Sequence, residues 1–230
     1  MNGEVFSQTD VTRHFMTKLL KIGFCLIFLS QTYEYNFNCR LTYEYIDLKN
    51  HKKNHDVTYL INNQDNSYYS SYHNISGNKE EVTFLDQNGV YWKGQMNNQN
   101  LTNSEITLEK ELLRKYSNPY KFQVDNYDFI ELKDTLLNNK MCKRVMLKSN
   151  NPEKEQKKQL GREVYVIDTS SDMKPLLTFS TAYEIWKKRK NIPNGIIIEK
   201  YLYNYKGEML IKEKLKSSEN ISLKFKMASE

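Results

Sequence analysis

From residue 39 onward, apolar and polar residues alternate with a period of two. Leu41, Tyr43 and Tyr45 stand on one parity, with Thr42 and Glu44 between them. Successive side chains of an extended strand point to opposite faces, so this spacing asks for a sheet with one buried side rather than a helix of period 3.6. The alternation returns at Val57, Tyr59 and Ile61, in the tyrosine-rich residues 67–73, at residues 82–85 and at Val90-Tyr91-Trp92. Breaks between these runs carry turn chemistry. Residues 47–56 are polar and lysine-rich, residues 62–66 interrupt the pattern, Gly77-Asn78 marks a turn, and Asp86-Gln87-Asn88-Gly89 is a hairpin signal. The first half reads as an antiparallel meander.

Between residues 97 and 119 the period changes. Thr102 followed by Glu105 has the form of a capping box, and Ile106, Leu108, Leu112, Leu113 and Tyr116 approximate one helical face before Asn118-Pro119. One amphipathic helix is expected there. Strands are expected again at residues 122–124, 127–132, 141–147 and 164–167, with residues 150–159, including Pro152, as a solvated loop. Residues 178–190 fit either a short helix or another strand. A turn at Asn191-Ile192-Pro193-Asn194-Gly195 introduces a hairpin of residues 196–205 and 208–215 across Lys206-Gly207. Ile221, Leu223 and Phe225, alternating with Ser222, Lys224 and Lys226, form a final strand. About ten strands with one or two helices predict a mainly β fold of the α+β kind. The expected form is a single strongly curved antiparallel sheet, or incomplete β-barrel, with a helix over its concave or open side.

Only residues 19–29, Leu-Leu-Lys-Ile-Gly-Phe-Cys-Leu-Ile-Phe-Leu, form a long apolar segment. It follows Met16-Thr17-Lys18 and precedes Ser30, Gln31 and Thr32, which is the order of a secretory signal. A spanning helix needs about 20 apolar residues, more than this core supplies. The chain therefore divides into residues 1–15, an upstream extension ahead of a start at Met16, residues 16–32, a signal peptide, and residues 33–230, a single antiparallel β-rich domain. Export to the periplasm, cell envelope or extracellular space is the expected destination. With mean hydropathy of −0.76 and 13% aromatic residues, led by 17 tyrosines, the core must use rings whose hydroxyls sit at its edge. A net charge of +6, from 34 basic and 28 acidic residues spread along the chain, supplies solubility and a mild attraction for anionic surfaces. Once Cys25 leaves with the signal, Cys39 and Cys142 remain. In an exported chain they form either one disulfide, worth as much as ~4 kcal/mol, or two buried free thiols.

Few residues suggest chemistry. Val164-Tyr165-Val166-Ile167-Asp168-Thr169-Ser170 resembles the active-site strand of aspartic proteases, in which two aspartates share a proton. The only other Asp-Thr pair, Asp134-Thr135, is followed by Leu136 and ends no comparable strand, so Asp168 reads as an ordinary strand end. His51 and His55 have the i, i+4 spacing of helical metal ligands, but they lie in a loop among Lys49, Lys52 and Lys53. His73 stands alone. Lys187-Lys188-Arg189-Lys190 after Trp186 reads as a solvated surface that leaves contact with anionic headgroups or polysaccharide open. Asn74, Asn100 and Asn220 begin glycosylation sequons in an asparagine-rich chain. No catalytic residue, metal ligand or cofactor is assigned, and no nucleic acid is expected as a partner.

Several short stretches carry a family resemblance: Tyr43 to Tyr45, Tyr59-Leu60-Ile61 followed by Asn66-Ser67-Tyr68-Tyr69-Ser70, Asp134-Thr135 ahead of Lys140-Met141-Cys142-Lys143-Arg144, Gly161-Arg162 ahead of Tyr165, and Ile192-Pro193-Asn194-Gly195-Ile196-Ile197. In these the chain resembles the exported Bacteroidetes β proteins of the GLPGLI type and, more distantly, the LolA/LolB lipoprotein carriers, although the Gly-Leu-Pro-Gly-Leu-Ile signature is absent. The resemblance implies an unclosed antiparallel barrel whose concave face holds an acyl chain or hydrophobic peptide, and it implies no catalytic residues. Two functions follow as expectations. One is a non-enzymatic exported protein binding an apolar or amphiphilic ligand, a lipid or lipidated partner, in the cell envelope, with peripheral membrane contact. The other is a surface or envelope module binding protein or glycan through tyrosines and basic loops.

Overall fold

A computed structural model describes residues 32–119 and 121–228. The expected upstream extension, the signal segment and Cys25 lie outside the described residues. Among the described residues, twelve strands and two α-helices follow in order: β1 (Thr32–Asp47), β2 (His55–Asn62), β3 (Asp65–Ser76), β4 (Lys79–Asp86), β5 (Val90–Asn97), β6 (Glu105–Thr107), β7 (Leu113–Lys115), β8 (Tyr127–Leu137), β9 (Lys140–Ser149), α1 (Pro152–Lys158), β10 (Arg162–Asp168), α2 (Ser180–Arg189), β11 (Ile196–Tyr203) and β12 (Met209–Ala228). All twelve strands form one open sheet in the order β7-β5-β4-β3-β2-β1-β12-β11-β10-β9-β8, with β6 pairing β12 away from this path. The expected curved, unclosed β sheet with few helices is the observed fold.

Each half of the sheet is a meander, and the long β1–β12 ladder joins them, running antiparallel from Thr32↔Ala228 to Asp47↔Ile211. Residues 208–215 and 221–225, which the sequence pattern separates, belong to one continuous strand. Its register with β1 slips between Phe37 and Cys39 and again between Thr42 and Tyr43, and each slip shifts the alternation that reading by parity depends on.

The segment expected to be an amphipathic helix is not one. Residues 98–112 form two 3-10 turns, Asn98–Thr102 and Lys110–Leu112, around the short strand β6. Ile106 and Leu108 are buried while Glu105 and Thr107 are exposed, the alternation of a strand. Residues two apart on a helix point about 200° apart and could not both enter one core. Thr102 caps nothing, since its hydroxyl donates to the Gln99 carbonyl at 2.7 Å. β6 instead runs parallel to β12 beside Lys224, Phe225 and Lys226, and Lys224 donates its amide to the Ser104 carbonyl at 2.9 Å.

Two further expectations change. Residues 122–124 belong to a 3-10 turn, Lys121–Asn126, in which Val124 is buried and Phe122 is 74% exposed. Residues 150–159 contain α1, which starts where Asn151 accepts the Lys154 amide at 2.8 Å, with Pro152 in its first turn. The open alternative at residues 178–190 resolves as α2, closed by Lys190 in the left-handed region at φ 51°.

Neighbouring residues of one strand enter different cores, which shows that the first half of the sheet is buried on both faces. Leu60, Tyr68 and Phe84 pack with Phe37, Val82, Trp92 and Phe225 under Leu101, Ile106 and Leu108 from the 98–112 segment. Tyr59, Ile61, Tyr69 and Leu85 lie on the other face with Cys39, Leu41 and Tyr43 beneath Met173 and Leu176. In the second half, Phe129, Val145, Leu147, Tyr165, Ile167 and Ile197 meet Ala182, Tyr183, Ile185 and Trp186 of α2, together with Leu177. An irregular strap, residues 169–179, thus leads from the end of β10 across one face of the sheet to α2. Where the strap leaves β10, Gly195 (φ 148°) would place a Cβ 2.4 Å from the Asp168 carbonyl oxygen, so only glycine lets β11 begin against β10.

The burial contrast gives a direct test. Phe225, fully enclosed between β1 and β6, should lose ~3–5 kcal/mol on replacement by alanine in urea denaturation, whereas Phe122→Ala should change stability by less than ~0.5 kcal/mol.

Candidate functional site

Residues singled out by sequence are dispersed. Asp168 ends β10, where its carboxylate accepts from Lys140 Nζ at 2.9 Å and from the Ser170 amide at 2.9 Å. The lysine hydrogen bond foremost, with those from Ser170, holds its carboxyl down at about 2. That carboxylate is occupied by a lysine rather than by a second carboxyl. Asp134 is engaged elsewhere, accepting from Lys143 Nζ at 2.9 Å. His51 lies in a 3-10 turn and His55 opens β2, with its ring 4.9 Å from Tyr45 and 5.1 Å from His73. Among the described residues, no group of three or more His, Cys, Asp and Glu is placed to hold a metal ion. Basic side chains at residues 187–189 close α2, where they complement the negative end of the helix dipole. Two of them reach neighbouring acids: Lys188 approaches Asp125 at 2.7 Å, and Arg189 pairs with Asp128.

Cys39 and Cys142 are both buried and free. They sit on β1 and β9, with β12, β11 and β10 between them in the sheet. Cys39 Sγ lies 3.7 Å from the Ser218 hydroxyl, and Cys142 Sγ donates to the Lys140 carbonyl. Burial is the leading cause raising both thiols, so neither is activated as a nucleophile.

Among the described residues, a concentrated polar site stands where no sequence motif pointed. It lies at the centre of the face covered by the strap. Tyr165 pairs with Lys200 across β10–β11, Lys200 with Glu213 across β11–β12, and Glu213 with Tyr45 across β12–β1, so these side chains share a face. Lys200 Nζ lies 2.8 Å from Glu213 Oε1 and donates to the Thr178 hydroxyl of the strap at 3.2 Å. The Tyr165 hydroxyl donates to Glu163, and the Tyr43 hydroxyl donates to the Ile197 carbonyl at 2.6 Å. Glu199 and Lys212, each adjacent in sequence to one member of this pair, form a second ion pair at 2.9 Å on the opposite face.

Electrostatics lock this cluster. Burial raises the Glu163 carboxyl, opposed by Lys200 and by the Tyr165 hydroxyl. Burial alone would lower the Lys200 ammonium, but the Glu213 and Glu163 carboxylates outweigh it and the net shift is upward. Tyr43, Tyr59 and Tyr165 are raised chiefly by burial and remain neutral. Every member has a protein partner, and the strap is pinned above them. Asn66 donates to the Pro175 carbonyl at 2.9 Å, Tyr69 to the Thr178 carbonyl at 3.2 Å, and the Lys174 amide to Asn63 at 2.9 Å. The strap-covered face is therefore filled by the protein's own side chains. Two clefts of about 300 Å³ open elsewhere, and polar and charged groups dominate both: Lys148, Glu155, Arg162 and Lys206 in one, Lys79, Gln95 and Asn97 in the other.

Sequence did hold a signal for the buried cluster. Glu163 shares the parity of Tyr165 and Ile167, and Lys200 follows three isoleucines and a glutamate in a strand that is otherwise apolar. A charge on the buried parity of a strand marks a partner across the ladder, but finding that partner requires the register.

No protein-family model matches the sequence, and comparison with curated proteins finds no match. Among solved structures, the fold is similar to a chain of the MucA/MucB complex of Pseudomonas aeruginosa, with a TM-score of 0.42, 11% identity, and coverage of 82% of this chain and 53% of that one. It is also similar to a DUF1329 family protein from Desulfovibrio piger (TM-score 0.32, 10% identity, 87% and 90% coverage). A third similarity is to a putative outer membrane lipoprotein-sorting protein domain from Vibrio parahaemolyticus (TM-score 0.29, 10% identity, 80% and 85% coverage). The chain spans about half the length of the matched MucA/MucB chain.

The raised carboxyl makes stability depend on pH. A carboxyl whose folded-state value lies above its unfolded one contributes stability below about 4.5 and loses it as pH rises through the folded value. Glu163→Gln, which keeps an acceptor for Tyr165, should therefore raise the melting temperature at neutral pH and flatten its fall above about pH 4.5 in thermal melts. Thiol titration of the denatured, unreduced protein should find Cys39 and Cys142 both reactive.

Proposed function

We propose that this chain is a non-enzymatic binding module, exported to the cell envelope, that holds a macromolecular partner on its outer surface. One observation carries this reading: both faces of the described sheet are covered by the protein's own side chains, Leu101, Ile106 and Leu108 on one and Met173, Leu176, Leu177 and the apolar side of α2 on the other. An apolar ligand entering beneath the strap would have to displace it, removing the Thr178 hydroxyl from Lys200 and exposing the Lys200–Glu213 pair to apolar groups. An ion pair buried against apolar groups without its remaining hydrogen bond does not recover its desolvation cost.

Support for the absence of catalysis comes from how the ionisable groups are used. Asp168, Asp134, Glu199 and Glu213 each serve a structural ion pair, and the two buried thiols are held protonated. Support for export comes from the basic start and short apolar core around residues 16–32. The described surface suits a partner better than a small ligand. It offers polar clefts, an exposed pair of apolar side chains at Leu136 and Met141 on the β8–β9 hairpin, and a basic excess.

The test is occupancy. Native mass spectrometry of protein purified from its own envelope should show the bare chain mass, and a fluorescent fatty-acid probe should bring no saturable signal. Co-purifying lipid displaced by that probe would replace the module with a carrier.

A further inference from the structure

β12 carries an edge that its neighbours leave open. β1 pairs along its whole length on one side. On the other side β11 pairs only as far as Glu199↔Lys214, and β6 takes over only at Lys224↔Glu105. Among the described residues, nothing pairs residues 215–223 on that side. Lys216, Ser218, Glu219, Asn220 and Ser222 are exposed, whereas Cys39 and Leu41 opposite them on β1 are buried.

This opening is built into the fold. Ile196 and Ile197 continue to pair β10, at Asp168 and Ile167, after β11 has parted from β12. The Ile197 carbonyl is taken by the Tyr43 hydroxyl, and Gly195 packs directly against Asp168, so β11 cannot swing back to close the gap. The charges flanking the edge are held to neighbouring groups, Lys216 at 2.7 Å from Asp56 and Glu219 at 3.4 Å from Arg40.

We infer that residues 215–223 of β12 form the docking edge for an extended peptide segment of a partner protein, which adds as a strand between β11 and β6. This inference rests on the binding-module reading above and names its class of partner. A row of unpaired amides and carbonyls repeating along a strand is matched only by another extended backbone. Because β11 and β6 lie in the same sheet at either end, the slot is recessed and roughly 30 Å long at ~3.4 Å per residue, with residues 217–220, between the two register slips against β1, as its regular part. A single peptide strand fits it. The same edge of a second copy does not, because each copy's flanking strands would collide with the other's. Ser217, Ser218, Asn220 and Ser222 give the slot small polar side chains, so recognition comes mainly from the backbone, with few side-chain demands.

The experiment uses the full chain and random linear peptides of roughly nine residues displayed on phage. Selected peptides are then made synthetically with and without backbone N-methyl groups, and read by hydrogen exchange. Amides of residues 215–223 that face away from β1 should exchange rapidly in the protein alone and slow by at least ~10-fold when a selected peptide saturates it. N-methylation at alternate peptide positions should weaken binding by ~10-fold or more per group in one parity and little in the other, since only one parity faces β12. Protection confined to another surface, or equal tolerance of both N-methyl parities, would overturn the edge while leaving the module reading standing. Slow exchange of these amides without peptide would overturn it too, by showing the slot already filled by the chain's own remaining residues. Failure to select any peptide would also overturn it, whereas lipid found in the occupancy experiment would sink the module reading itself.

Discussion

Pairing between β1 and β12 is the contact on which the rest of the structure depends. It joins the first and last described strands of a chain of 230 residues, and both meanders hang from it, one on each strand. Without it the sheet would be two smaller sheets, each with a long unpaired edge exposing a row of backbone groups. Its closure also carries the largest loop-entropy cost in the fold, because its ends are nearly two hundred residues apart at Thr32↔Ala228. Folding that waits for such a contact is intrinsically slow, and the local hairpins β3–β4, β4–β5 and β8–β9 must form with little help from it.

The ladder also explains where polar groups had to be buried. At the crossing of the two halves, β11 leaves β12 to follow β10, and the sheet must be covered on both faces while its strands diverge. Glu199-Lys200 on β11 and Lys212-Glu213 on β12 meet there as one ion pair per face. Each pair is weak evidence for stability, since desolvation offsets most of its Coulombic gain. What the pairs fix is register: a slip of one residue would put lysine against lysine on one face and leave a buried charge unpaired on the other. The tyrosines around them serve the same end, burying ring area while their hydroxyls satisfy Glu163, Glu213 and the Ile197 carbonyl.

What could be read from the sequence follows from which interactions are local. The strands of the first half are legible because Tyr43, Tyr59 and Phe84 announce their faces by parity, and the turns at Gly77 and Gly89 are written in residues that tolerate positive φ. α1 was readable as well, from Asn151-Pro152, but its mixed charges read as loop because its buried contribution is a single glutamate paired to Arg162. The 98–112 segment misleads for the opposite reason. Ile106, Leu108 and Leu112 satisfy a helical count only when the spacing of two between the first pair is overlooked, and the reason they lie extended is the backbone of Lys224–Lys226, more than a hundred residues away. Nothing in a window of local sequence contains that partner. The buried Lys200 cluster was hidden in the same way, since its three charges come from three strands.

Length mismatch between strands ties these features together. β12 is 20 residues long, while β11 has 8 and β6 has 3, so a continuous partner exists only on the β1 side. Proteins commonly protect such an edge with charge, a bulge or a covering segment. Here the two register slips against β1 supply bulges, and lysines at 214 and 216 discourage casual pairing, while residues 217–220 between the slips keep a regular register with β1. An edge that is guarded against a second sheet yet flanked by β11 and β6 at its two ends is selective by shape. That selectivity arises because Tyr43 and Gly195 hold β11 on β10, and it follows that the buried tyrosine cluster and the open edge are two sides of one divergence.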